Sequence, residues 1–187
     1  MISFIIIGRN EGWKLEKCFE SVFQNIIFNK INDYEVLYID SNSNDNSIAN
    51  AKSFKEIKIY KLISGYNSAV ARNFGAEKAV SENLFFIDGD MEIIPDFLPL
   101  IYNKERGLLY NFVSGQFINY YYDLNGNYID KKENYTMNGK DRFEVTTGGL
   151  FCIKKDVWLS VGGMKTKYKR GQDLDFGLRL AKKGVKL

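Results

Sequence analysis

The first half of the chain is built from short, mostly apolar blocks separated by polar, helix-like stretches. Ile2–Gly8, Tyr34–Asp40, Ile57–Ile63 and Leu84–Ile87 have the length and composition of strands. Near-continuous apolar runs of this kind predict strands buried on both faces. Between them, Trp13, Leu15, Cys18, Phe19 and Val22 recur at roughly helical spacing. A Ser/Asn/Asp cluster opens a helix over Asn42–Lys52, and Ser68–Val80 reads as another. Strands alternating with helices over short connections predict a parallel sheet with helices on both faces.

The pattern changes after Pro95. A short helix is expected over Asp96–Asn103. Asn111–Tyr122 and Tyr128–Lys131 flank Asn125-Gly126, a two-residue hairpin signal. A helix at Lys154–Val161 runs into Gly162-Gly163. Gln172–Lys183 is amphipathic, with Gly184 at the position after its end, and Val185-Lys186-Leu187 looks like the start of a strand. There is no repeat and no linker, so 187 residues predict one domain.

Composition narrows the chemistry. Hydrophobic residues make up 45% and charged residues 26%, as in a globular protein. A net charge of +3 is too small to argue for nucleic acid, and the basic run Lys165–Arg170 reads as a solvated loop. Histidine is absent. That excludes Ser-His-Asp and Cys-His catalysis and any histidine-ligated zinc. Cys18 and Cys152 have no metal-ligand spacing and read as buried free thiols. No apolar stretch approaches the roughly 18 residues of a membrane span, and no basic segment precedes Ile2–Ile7. The expectation is a cytoplasmic protein, with peripheral association at the inner membrane face left open. Asn134-Tyr135-Thr136 matches a glycosylation sequon and is read as accidental.

The strongest chemical signal is Asp88-Gly89-Asp90 at the end of the fourth strand. Two acids one residue apart repel each other, and a hard cation such as Mg²⁺ or Mn²⁺ relieves the repulsion by sharing them with a substrate diphosphate. The first and second strands end in Gly8-Arg9-Asn10-Glu11 and Asp40-Ser41-Asn42-Ser43. In an open α/β sheet these three ends converge on one rim. Neither Gly-x-Gly-x-x-Gly nor a P-loop follows the first strand.

These segments, with Ala71-Arg72-Asn73-Phe74-Gly75, Gly148–Ile153, Gly162-Gly163 and Gln172-Asp173, resemble in order and spacing the inverting glycosyltransferases of family 2. The resemblance implies a GT-A fold: Rossmann-like, three layers α/β/α, a mostly parallel central sheet and a small antiparallel hairpin on the acceptor side. It divides the domain into a nucleotide-sugar half, 1–105, and an acceptor and catalytic half, 106–187, that ends early. It implies that Asp40 accepts a hydrogen bond from the nucleotide base, and that Gly8, Asn10, Glu11 and Ser43 line the nucleoside pocket; Asp40 also suits an N-cap or turn, and Asn10, Glu11 and Ser43 also suit helix capping. It implies that Arg72 holds the metal-site acids or a phosphate, that Asp88 contacts the ribose or sugar, and that Asp90, with Asp88, holds Mn²⁺ or Mg²⁺. Gly148 and Gly149 match the acceptor segment. Asp173 matches the catalytic base, in a Glu-Asp pair that here reads Gln172-Asp173.

The implied activity is metal-dependent, inverting transfer of a sugar from a nucleotide donor, UDP-linked by expectation, to a saccharide or glycolipid acceptor in bacterial surface polysaccharide synthesis. Two alternatives stand beside it. One is a nucleotide-sugar-binding domain with weak catalysis, favoured by Gln172 and by the end at Leu187. The other is a sugar-1-phosphate nucleotidyltransferase, which would need a richer Gly/Arg/Lys loop than Gly8-Arg9-Asn10.

Overall fold

The computed structural model describes residues 1–115, 117–123, 125–133 and 147–186. The sequon at 134–136 and the final residue lie outside these. The elements run β1 (Ile2–Gly8), α1 (Trp13–Phe28), β2 (Tyr34–Asp40), α2 (Ser47–Lys52), β3 (Ile57–Lys61), α3 (Ser68–Lys78), β4 (Asn83–Asp88), α4 (Phe97–Ile101), β5 (Tyr102–Asn103), β6 (Gly107–Leu108), β7 (Phe112–Ser114), β8 (Ile118–Tyr122), β9 (Tyr128–Glu133), β10 (Leu150–Lys154), α5 (Lys155–Ser160) and α6 (Gln172–Lys182).

The central sheet has the order β3-β2-β1-β4-β10-β7. Its first four strands are parallel, and β10 runs antiparallel to both β4 and β7. Strand β1 lies in the middle, which is why Ile2–Ile7 are apolar at almost every position and all buried. Side chains alternate between two cores. Phe4, Ile6, Tyr38, Phe85 and Ile87 face α1, α2 and α4, where Leu15, Cys18, Phe19 and Val22 meet them. Ile5, Ile7, Leu37, Ile39 and Phe86 face α3, α5 and α6.

On that second face α3 approaches very closely. A Cβ on Gly75 would collide with Ile5 Cγ2 and lie 3.3 Å from Ile39. Only glycine lets the helix backbone settle on the sheet at that height. Farther along, Phe86, Phe151, Trp158 and Phe176 form a contiguous aromatic stack, with Phe86–Phe151, Phe86–Trp158 and Trp158–Phe176 centroids each 4.8 Å apart. This stack fastens β10, α5 and α6 to β4.

Several boundaries differ from the sequence expectation for local reasons. The helix expected from Asn42 begins at Ser47, because side chains of Asp40, Asn10 and Asp45 accept from the N–H groups of Ser43, Asn44 and Ser47 and hold a turn in which Asn42 has φ 62°. The helix expected over Asp96–Asn103 stops at Ile101, and Tyr102–Asn103 instead pairs with Gly107–Leu108. Asn125-Gly126 is not a two-residue turn. Tyr122 pairs with Tyr128, and the longer connection is organised by Asp123, whose carboxylate accepts from the backbone N–H groups of Asn125 and Asn127 at 2.8 Å. Gly184 does end α6 in a left-handed conformation, but Val185-Lys186 closes back on Leu180 and forms no strand. Both cysteines are buried and free.

Candidate active site

Strand β1 is flanked by β2 on one side and β4 on the other, so the chain reverses its lateral direction between β1 and β4. Ligands of open α/β sheets bind at such a reversal, beyond the C-terminal strand ends. The register puts Gly8 opposite Asp40 and Ile7 opposite Asp88. Three of the expected site residues therefore stand side by side on one rim.

Two loops on this rim are stitched together. Asn10 adopts φ 59°; its N–H donates to Ser43 Oγ (2.9 Å), and its side-chain oxygen accepts from the Asn44 N–H (2.9 Å). Ser47 Oγ accepts from the N–H groups of Glu11 and Gly12 at 3.0 and 3.1 Å. Asp40 is 0% exposed. Its two carboxylate oxygens accept from the Tyr38 hydroxyl (3.1 Å) and the Ser43 N–H (2.9 Å). In this structure Asp40 anchors the turn that presents Ser43. Tyr38 and Ser47 were not singled out from sequence, although Tyr38 lies two residues before Asp40 and so shares its face of the strand.

The other side of the rim is acidic. Asp88 Oδ1 accepts from Arg72 Nη2 at 2.6 Å, and the guanidinium is buried over the Phe151 ring at 5.7 Å. Arg72 thus holds a rim acid. Even so, burial first, then the Asp90 and Asp173 carboxylates, push the Asp88 carboxyl up to about 6. Glu11 is raised as well, chiefly by burial and then by Asp90 and Asp88. Asp88 thus lies within electrostatic reach of Asp90 and Asp173, and Glu11 within reach of Asp90 and Asp88. Asp90 is exposed and Asp173 half-exposed. In the same turn as Asp173, Asp175 is occupied by an ion pair with Arg179 at 2.8 Å.

Gly149 lies against this cluster. Its carbonyl accepts from the Asp88 N–H (3.0 Å), and a Cβ on it would strike Asp88 Oδ2 and approach Met91 Cε to 2.6 Å. Gly148, at φ 64°, has open space where a Cβ would be. The segment from β10 therefore forms a wall beside the acids.

Could these residues hold a metal? Among the described residues no three acids stand close enough to grip an ion together. The donor set is all-oxygen, repulsive when empty, and confined to one or two carboxylates at the strand end. It fits a hard divalent ion that takes most of its remaining ligands from a substrate diphosphate and water. Asp90 and Asp88 would hold it. A surface depression of about 420 Å³ lies elsewhere, lined by Asn29, Leu98 and Tyr102–Glu105.

Solved structures share this architecture. Staphylococcus aureus TarS matches with a TM-score of 0.70 and 15% identity, covering 95% of this chain and 54% of that one; the same protein has also been crystallised in complex with UDP. A mannosyltransferase from Pyrobaculum calidifontis, solved with GDP-Man and Mn²⁺, matches with a TM-score of 0.69 and 16% identity over 99% of this chain and 53% of that one. The fold is GT-A. Among curated proteins, the poly(ribitol-phosphate) beta-N-acetylglucosaminyltransferase TarP of Staphylococcus aureus is 35% identical over 107 residues, 54% of this chain and 32% of the relative. The chain spans 32% to 62% of the length of its curated relatives. The family model described as glycosyl transferase family 2 matches residues 3–162, which takes in both stitched loops, Arg72 and the acids of β4, and the chain belongs to that family.

Proposed function

We propose that this chain is the donor-binding and catalytic part of a metal-dependent, inverting glycosyltransferase. It takes a sugar from a UDP-linked donor and passes it to a saccharide or lipid-linked acceptor in bacterial cell-surface polymer synthesis. The observation that carries this reading is Asp88 held by Arg72 at 2.6 Å at the β1–β4 reversal, with the carboxylates of Asp90 and Asp173 near enough to raise its pKa. Support also comes from the UDP complex of TarS, the GDP-Man and Mn²⁺ complex of the mannosyltransferase, and the polymer named as TarP's acceptor.

The nucleoside lies against Gly8–Glu11 and the Ser41–Ser43 turn, with Asp40 behind that turn as the buried acid that sets the base pocket. Asp90 and Asp88 would hold Mn²⁺ or Mg²⁺, which when bound would supply Lewis-acid stabilisation to the departing diphosphate. Asp173 accepts the proton of the acceptor hydroxyl. The hydroxyl oxygen forms its bond to the anomeric carbon as the bond to the diphosphate oxygen breaks, and the electron pair leaves with the diphosphate. One displacement inverts the anomeric centre. Gly148 and Gly149 let the acceptor come close beside Asp88.

Among the described residues no helix is long and apolar enough to cross a membrane. We place the reaction on the cytoplasmic side, where nucleotide sugars are made. The test is transfer from a UDP-sugar with the product configuration read by NMR. Asp173→Asn keeps the side-chain size but cannot take the proton, and is expected to lower turnover by roughly 10²–10⁴-fold with donor affinity little changed. Full activity of that variant, or retention of configuration, would sink the assignment.

A further inference from the structure

Gln172 stands where the family resemblance leads one to expect glutamate, and its surroundings explain the amide. The residue is 6% exposed. Its Oε1 accepts from the Ser68 hydroxyl at 2.5 Å, and its Nε2 donates to the Tyr168 carbonyl at 2.6 Å. A carbonyl oxygen can only accept, so the group facing Tyr168 must be a donor. An amide satisfies both partners at once. An ionised carboxylate cannot, because one of its oxygens would be pressed against the Tyr168 carbonyl.

The three partners belong to three different parts of the site. Ser68 opens α3, Gln172 opens α6, and Tyr168 lies in the loop between α5 and α6. Two further amides lay the same loop along α3: Asn67 Nδ2 donates to the Thr166 carbonyl (3.2 Å), and Asn73 bonds both the carbonyl and the N–H of Met164 at 2.8 and 2.9 Å. Asp173 is the next residue after Gln172, and one turn after Ser68 the same helix carries Arg72, which holds Asp88.

We infer that Gln172 is a positioning residue: its neutral amide ties the first turn of α6 to that of α3, fixes where Asp173 meets the Asp88–Asp90 rim, and makes an uncharged group a requirement at this position. The inference rests on Asp173 being the base. It makes Gln172 a fitted part of the site and removes one reason for regarding the chain as catalytically weak.

The consequence is specific to Gln172→Glu. Only the protonated carboxyl can donate to Tyr168 while accepting from Ser68. The charged and titratable groups on the elements packed around it are Lys165, Lys167, Tyr168, Lys169 and Arg170 on the loop, Asp173, Asp175, Arg179 and Lys182 on α6, and Arg72, Glu77 and Lys78 on α3. Arg72 is committed to Asp88 and Asp175 to Arg179, while the loop cations are exposed. Burial against a carbonyl therefore governs, and the folded state favours the protonated acid. A carboxyl whose folded-state pKa lies above its unfolded value contributes stability at low pH that is lost as pH rises through the folded pKa.

The experiment has two readouts on wild type, Gln172→Glu and Gln172→Leu. Melting temperature from about pH 5 to about pH 8 needs no substrate. Gln172→Glu is expected to match wild type at the acid end and fall below it as pH rises. Turnover with a UDP-sugar is expected to drop by about 10–100-fold in Gln172→Leu at every pH, with donor KM little changed, as for a displaced catalytic group. In Gln172→Glu it should recover toward wild type at the acid end. A melting curve of Gln172→Glu parallel to wild type overturns the tether. A falling melting curve with turnover parallel to wild type keeps the tether and overturns the positioning role. Loss of all transfer in wild type would count against the proposed function and leave the melting comparison to decide the tether.

Discussion

Asp88 is held by Arg72 at 2.6 Å and yet pushed up to about 6, because burial and two neighbouring carboxylates outweigh one guanidinium. The sign of this shift has a consequence for stability. The folded-state value lies above the ordinary aspartate range, so Asp88 contributes stability that is complete below about pH 4 and is lost as pH rises through about 6. Without metal, the melting temperature of wild type minus that of Asp88→Asn should therefore decline between those values, then stay flat to neutrality. Adding Mn²⁺ should remove the decline, since a bound cation stabilises the ionised form. A pH-independent difference without metal would contradict the electrostatic account of the rim. Gly149 is tied to the same carboxylate: Gly149→Ala puts a methyl group into Asp88 Oδ2. It is expected to weaken metal-dependent UDP binding, measured by calorimetry, and unchanged binding would show that the close approach is immaterial.

At the scale of elements, the two helices that carry Arg72 and Asp173 are seated by contacts on the sheet. Gly75→Ala drives a Cβ into Ile5 and should destabilise the domain by about 1–3 kcal/mol, as overpacking does. Phe176→Ala empties the aromatic stack three residues beyond Asp173 and should cost about 3–5 kcal/mol. Denaturant melts measure both, and a cost under about 0.5 kcal/mol in either would contradict the packing described. The strands were legible in the sequence because central parallel strands must be apolar on both faces, and that signal is local. The rim was legible for a similar reason: polar residues that end buried strands can only sit at the sheet edge. Other features were not legible. Whether Asn42–Asn46 starts a helix or caps a turn depends on Asp40 and Asn10, and Asn10 lies more than thirty residues away. Asp40 read as a base acceptor ahead of a turn acid, because its burial under Tyr38 and the Ser43 turn appears only in three dimensions. Gln172 read as a weakened glutamate, because its partners Ser68 and Tyr168 lie on other elements.

At the scale of the whole molecule, a stitched wall made by the β1 and β2 loops stands beside an acidic wall made by the end of β4 and the start of α6. The first is already satisfied by its own hydrogen bonds. The second is frustrated, with Asp90 and Asp173 pushing the Asp88 carboxyl up against the pull of the Arg72 guanidinium, and that frustration is what a cation and a diphosphate would relieve together. The most direct measurement is calorimetric titration of UDP into this chain with Mn²⁺ and with EDTA, in wild type and in Asp90→Ala. The expected result is binding to wild type with Mn²⁺ that is largely lost in EDTA, and a variant that keeps its fold but gains little from the metal. Equal UDP affinity with Mn²⁺ and with EDTA in wild type would contradict the account.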